Sequence, residues 1–146
     1  MTVLRPMRWW DIDAALAIEQ ELFPDAWSVE TFWAELARVP DTRHYLVADD
    51  DGAVVGYAGL MTIGRQADVQ TVAVATGHQG KQLGATLLRA MVDEAIAREC
   101  TEVLLEVRVD NEPALHLYEK TGFERISVRR GYFPGRVDGL VMRLRL

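Results

Sequence analysis

The chain has 146 residues, is 49% hydrophobic and 26% charged, and carries a formal net charge of −6, a composition that suits a globular domain with a sizeable core. No apolar run reaches the ~18 residues of a membrane span, Met1 to Pro6 lacks the apolar core of a signal peptide, and the lone Cys100 leaves no internal disulfide framework. The acidic balance, with Arg129-Arg130 the densest basic spot, excludes a nucleic-acid surface and favours cationic partners such as amines and basic protein tails.

In chain order, Thr2 to Pro6 predicts a short first strand. Over Trp10 to Phe23 the apolar Ile12, Ala15, Leu16, Leu22 and Phe23 recur at helical spacing, and Pro24 ends the run. Ser28 suits the N-cap of a second helix to about Ala37, with Phe32, Trp33 and Leu36 on its apolar side. His44 to Ala48 and Val54 to Ile63 read as strands joined by the hairpin signal Asp49-Asp50-Asp51-Gly52. Ala67 to Val74 is the next strand. Gly80 to Arg98 is the longest helix, with Leu83, Leu87, Leu88, Met91 and Ala95 at core spacing. Glu102 to Val109 is a strand, and Pro113 to Lys120 a helix with proline in its first turn and Gly122 beyond its end. Phe123 to Arg130 and Leu140 to Leu146 close the chain as strands around Pro134-Gly135.

The order β-α-α-β-β-β-α-β-α-β-β predicts an α/β fold of the α+β mixed-sheet kind: about seven strands flanked by four helices. The sheet is antiparallel early, with a crossover helix between two parallel central strands. No linker, repeat or low-complexity segment interrupts the chain, so one domain over residues 1–146 is expected. Cys100, at a helix-to-strand junction, reads as a buried structural thiol. A cytoplasmic protein is expected, with no membrane partner.

Three stretches carry chemistry. Val72-Ala73-Val74 ends a strand, and Gln79-Gly80-Lys81-Gln82-Leu83-Gly84-Ala85 leads into the long helix. A strand–turn–helix junction of this kind leaves unpaired N–H groups and the positive end of a helix dipole facing outward, which suits phosphates. Leu105-Glu106-Val107-Arg108 places Glu106 on the strand face opposite Leu105 and Val107. A strand between crossover helices is covered on both faces, so a carboxylate there needs a reason; a solvated strand face is the plain alternative. Asn111 through Glu119 begins with a residue able to cap its helix and carries Tyr118. His44, His78 and His116 have no metal-ligand spacing, so no metal is expected.

Together these stretches resemble the GCN5-related N-acetyltransferase (GNAT) family, and within it the RimI-type protein N-terminal acetyltransferases, over nearly the whole chain. The resemblance implies an acetyltransferase fold and acetyl-CoA as acetyl donor. Its cofactor loop reads Gln/Arg-x-x-Gly-x-Gly/Ala; Gln79 and Gly84 match, while Gln82 stands where a glycine is usual. Glycine tolerates unusual dihedrals and close backbone approach, so Gln82 is expected to weaken coenzyme affinity relative to glycine. The resemblance places the pantetheine arm against Val72, Ala73, Val74 and Asn111, and the pyrophosphate over Gln79 to Ala85, including Gly80, Lys81, Gln82, Leu83 and Gly84. It makes Glu106 the general base and Tyr118, twelve residues on, the general acid.

The resemblance extends to the acceptor side. Phe23-Pro24-Asp25-Ala26-Trp27-Ser28 is similar to a Phe-Pro-Trp-Ser run with two residues inserted, and Arg129 to Pro134 to an Arg-Arg-x-Tyr-Tyr-Pro run in which Phe133 replaces the second tyrosine. Trp27 and Tyr132 are then walls of the acceptor groove. The implied partner is a protein N-terminus, in that family the alanine of a ribosomal protein, with the enzyme a monomer or weak homodimer. Two rivals remain on the same scaffold: acetylation of a small cationic amine, and a non-catalytic acyl-CoA-binding sensor.

Overall fold

The computed structural model describes residues 1–146. Seven strands form one mixed sheet in the order β1-β2-β3-β4-β5-β7-β6: β1 Thr2–Pro6, β2 Arg43–Asp50, β3 Ala53–Ile63, β4 Gln66–Val74, β5 Glu102–Arg108, β6 Glu124–Phe133 and β7 Val137–Arg145. The four helices are α1 Ile12–Leu22, α2 Val29–Leu36, α3 Leu83–Ala97 and α4 Glu112–Thr121. The β2–β3 hairpin turns on Asp51 and Gly52, both at positive φ, as a two-residue turn matched to strand twist requires.

The sheet is covered unequally. On one face α3 and α4 pack Leu87, Leu88, Met91 and Leu115 against Val103, Leu105, Val107 and Met142. On the other, α1 and α2 bury Ile12, Ala15, Ile18 and Phe32 against Tyr45, Val47, Tyr57 and Ala73 of β2, β3 and β4. That second layer stops short of β5, β7 and β6, and β6 is exposed along nearly its whole length.

One irregularity shapes the middle of the sheet. β4 and β5 run parallel but pair only at Gln66↔Glu102, Ala67↔Val103 and Asp68↔Leu104. Next along β4, Gly59 faces Thr71 and Leu60 faces Val69, so Gln70 is an extra residue, a β-bulge. A bulge bends its strand and shifts the alternation of side chains. Val69, Val72 and Val74 therefore all lie towards the α3 core while Ala73 joins the opposite one. Beyond Asp68 the two strands diverge and face each other across a gap.

The predicted long helix requires a correction. It begins at Leu83, not Gly80. Gly80 and Gln82 both take left-handed backbone, with φ of 79° and 61°, and a right-handed helix cannot be built through such residues.

Candidate active site

The gap between β4 and β5 is the centre of a trench that crosses the sheet in three connected compartments. The central one, about 330 Å³, lies between Thr71–Val74 of β4 and Leu105–Arg108 of β5. Towards α3 and α4 it passes, by way of Val72, Val74 and Tyr118, into a compartment of about 720 Å³. Towards β6 and β7 it passes, by way of Trp27, Glu106 and Phe133, into one of about 570 Å³.

The α3 side is built for an anion. Ser28 caps α2 and Asn111 caps α4 by accepting from backbone N–H groups of Thr31 and Ala114, whereas the start of α3 has no side-chain cap. The N–H groups of Leu83, Gly84 and Ala85 are thus left for a ligand at the positive end of a 15-residue helix. Gln79, Gly80, Gln82, Leu83, Gly84 and Ala85 all line this compartment. Lys81 is exposed and stands outside the lining. Arg89 lines it too, and the sequence reading missed it. The signal was available: Arg89 lies seven residues after Gln82, two turns along the same helix face.

Val72 and Val74 line both this compartment and the central one, and Ala73 and Asn111 line the central one. Past Asp68, β4 turns its open edge towards β5 without pairing to it. A chain of amides, peptide-like, can pair with such an edge as an added strand.

Tyr118 and Glu106 occupy the two ends of the central compartment. Tyr118, on α4, is 9% exposed and lines the passage to the α3 side. Burial pushes its phenol up to about 12, so the hydroxyl stays a proton donor throughout the physiological range. Glu106, on β5, lines the passage to the β6 side.

The expected shielding of Glu106 is corrected by the structure. Its side chain retains 33% of its accessible surface, because α1 and α2 end over β4 and leave the outer face of β5 bare. That bare face is the floor of the compartment towards β6 and β7, the outer one.

Glu106 is met there by β6. The Arg129 guanidinium stands 3.3 Å from a Glu106 oxygen and 5.3 Å from the Tyr132 ring. The Tyr132 hydroxyl lies against the Glu106 carboxylate, which raises the phenol above its ordinary range. Asp68, across on β4, is also raised, first by burial and then by the Glu106 and Glu102 carboxylates, against a hydrogen bond from Gln66.

A two-residue irregularity in β6 between Arg129 and Phe133 turns Tyr132 into the compartment, and Asp138 pins it by accepting from the Gly131 N–H at 2.8 Å. Gly139 makes room for Phe133, since a Cβ there would stand 2.9 Å from the ring. Trp27 lines the central and outer compartments. The predicted site residues therefore come together, Lys81 excepted. Asp68 and Glu19, a carboxylate in the central lining, join them without having been singled out, while Arg129, which opens the Arg129–Pro134 run, lines the same compartment as Tyr132.

Such a trench admits two extended ligands from opposite sides. Their reacting ends would meet between a carboxylate able to accept a proton and a phenol able to donate one. No group of three or more His, Cys, Asp or Glu side chains is arranged to hold a metal ion, and no helix is long and apolar enough to cross a membrane.

Comparison with known proteins gives the same architecture. Residues 12–123 match the acetyltransferase (GNAT) family model. The N-alpha-acetyltransferase RimI of Mycobacterium tuberculosis is 38% identical, across 88% of this chain and 81% of that protein. The ribosomal protein bS18-alanine N-acetyltransferase of Escherichia coli is 31% identical, across 99% of this chain and 97% of that one. A crystal structure of the Escherichia coli ribosomal-protein-S18-alanine N-acetyltransferase superposes with a TM-score of 0.90 at 30% identity, over 99% of this chain and 94% of that one. Ard1 from Thermoplasma volcanium shares the fold, with a TM-score of 0.93 at 22% identity over 99% and 97% of the two chains.

Proposed function

The chain belongs to the acetyltransferase (GNAT) family, and from that premise we propose that it transfers acetyl from acetyl-CoA to the N-terminal α-amine of a protein, in the manner of the ribosomal-protein alanine acetyltransferases it is similar to. The observation that carries this reading is the trench, which has a phosphate-ready helix start on one side, an open groove on the other, and Glu106 and Tyr118 between them.

The donor fits the residues present. The uncapped N–H groups of Leu83 to Ala85 and the Arg89 cation suit the pyrophosphate and phosphate charge, and the open edge of Val72–Val74 suits the pantetheine amides. Asn111 reaches the central compartment while its Oδ1 caps α4 by accepting from the Ala114 N–H at 3.3 Å, which leaves its amide N–H groups for the same arm.

Glu106 accepts the proton that an ammonium must lose before its nitrogen lone pair can attack the thioester carbon. As the C–S bond breaks, Tyr118 donates its proton to the departing thiolate sulfur. An α-amine is the easier acceptor, because its pKa of roughly 7.7–8 lies ~2.5 units below that of a lysine ammonium, or ~3.4 kcal/mol less work at a given pH. Trp27, Tyr132 and Phe133 form the walls through which the acceptor enters.

Steady-state kinetics of Glu106→Gln and Tyr118→Phe test the assignment. Both variants are expected to lose roughly 10²-fold or more in kcat, the range of a positioned acid or base, while acetyl-CoA binding measured by calorimetry stays unchanged. Wild-type turnover in Glu106→Gln would remove Glu106 from the role.

A further inference from the structure

The segment from Phe23 to Ser28 has no regular structure and lines the central compartment through Phe23, Asp25 and Trp27 and the β6-side one through Trp27, where the proposed acceptor enters. Between the Phe23 N–H, which donates to the Glu19 carbonyl at the end of α1, and the Ser28 cap of α2, one main-chain hydrogen bond ties it down. That bond runs from the Trp27 N–H to the Glu19 carboxylate, at 3.3 Å.

Glu19 is 3% exposed, and a carboxylate so deeply placed needs donors. Its other oxygen accepts from the hydroxyl of Tyr57, a fully buried residue in the middle of β3. The Trp27 ring is held through the same tyrosine: it packs on Phe32 at 5.2 Å, and Phe32 meets Tyr57 edge-on at 5.7 Å. Backbone and ring of Trp27 are thus both referred to one rigid strand. Neither Glu106 nor Tyr118 takes part.

We propose that Glu19 is a positioning residue for the acceptor: by bridging the Tyr57 hydroxyl and the Trp27 N–H, it holds Phe23–Ser28 as the fixed wall against which the incoming amine is brought to Glu106. The assignment rests on the acetyltransferase reading for what the wall serves, and on the hydrogen bonds alone for what holds it. It follows that Glu19 acts chiefly on acceptor binding, because the groups it bonds lie on β3 and in the wall and none on α3 or α4, where the phosphate-binding compartment lies.

The experiment compares wild type with Glu19→Ala and Glu19→Gln. It measures amide hydrogen exchange across residues 23–28, the KM of an alanine-initiated peptide, kcat, and acetyl-CoA affinity by calorimetry. In Glu19→Ala, exchange at 23–28 is expected to quicken and the peptide KM to rise, each by roughly tenfold, the scale of one buried hydrogen bond. Coenzyme affinity stays within about twofold. Glu19→Gln keeps an acceptor for Trp27 and a partner for Tyr57, so it is expected to restore both readouts to within about threefold. Where Glu19→Ala fails to fold, Glu19→Asp takes its place, since one methylene fewer cannot reach both donors; the same separation is expected.

Unchanged exchange and KM in the truncated variant, or equal losses of acceptor and coenzyme binding, would overturn the assignment, as would failure of glutamine to restore the wall. Absence of peptide turnover in the wild-type enzyme would instead overturn the function proposed above, and the exchange measurement then decides the Glu19 assignment by itself.

Discussion

At the scale of single residues, Glu106 and Tyr118 differ in how much water they see, and the difference follows from the two faces of β5. Tyr118 packs with Leu105 and Val107 in the α3–α4 core; Glu106 looks out where no helix lies. The buried phenol carries a linkage consequence. Its pKa is raised from 10 to about 12 in the folded chain, so its contribution to stability is complete below pH ~10 and is lost as pH climbs through ~12. Two units correspond to about 3 kcal/mol. Denaturant melts from pH 9 to 12 are expected to show falling stability over that window, with Tyr118→Phe falling less. A parallel decline in both proteins would show that the hydroxyl is not sensed as buried. Arg129 is the second case. It pairs with Glu106 in the space the proposed acceptor ammonium would enter, so Arg129→Leu is expected to lower the peptide KM by roughly threefold, an exposed pair being worth up to ~1 kcal/mol. A raised KM would mean that Arg129 holds the acceptor instead.

At the scale of elements, the site depends on two local departures from regularity, the Gln70 bulge that parts β4 from β5 and the left-handed turn that starts α3. Gln82 sits in that turn at φ 61° with a side chain that pays the steric penalty a glycine would escape. Gln82→Gly is expected to stabilise the protein by about 1 kcal/mol, read from denaturant unfolding. It is also expected to tighten acetyl-CoA binding, because the backbone of the loop then approaches the phosphates freely. No gain in either would mean that the loop is relaxed as it stands. These departures mark what the sequence could and could not tell. The strands and helices follow from alternation, helical spacing and the caps Ser28, Asn111 and Gly122, all of which reappear in the fold. A bulge has no such signature: Gln70 is an ordinary strand residue until its partners on β3 are known. The helix start was misplaced because the apolar spacing from Leu83 onward does not mark where the turn ends, and the glycine usual at position 82 was the one sign of left-handed backbone there.

At the scale of the molecule, the trench opens towards β6 because α1 and α2 cover only half of the sheet. Chain order fixes the number of layers, not how far each extends, and so Glu106 was expected under cover. The motif residues were legible because each lies in a stretch with its own pattern. Glu19 and Asp68 were not, because only the tertiary fold brings them to the trench. A ligand that fills the α3 compartment binds the folded chain alone. At 100 times its dissociation constant, coenzyme is therefore expected to add about 2.7 kcal/mol of stability and to raise Tm by roughly 5–10 °C. An unchanged Tm would argue against coenzyme binding.

The central claim is that this trench passes acetyl from acetyl-CoA to a protein α-amine, with coenzyme A leaving as the thiol. It is tested most directly by incubating the purified protein with acetyl-CoA and two peptides, one beginning with a free alanine and one with a blocked N-terminus and an internal lysine, and locating the added mass. The account predicts a gain of one acetyl group at the alanine α-amine, formed roughly 10²-fold more slowly or worse when Glu106→Gln replaces the wild type. Acetylation of the lysine peptide alone, or of neither peptide, would contradict it.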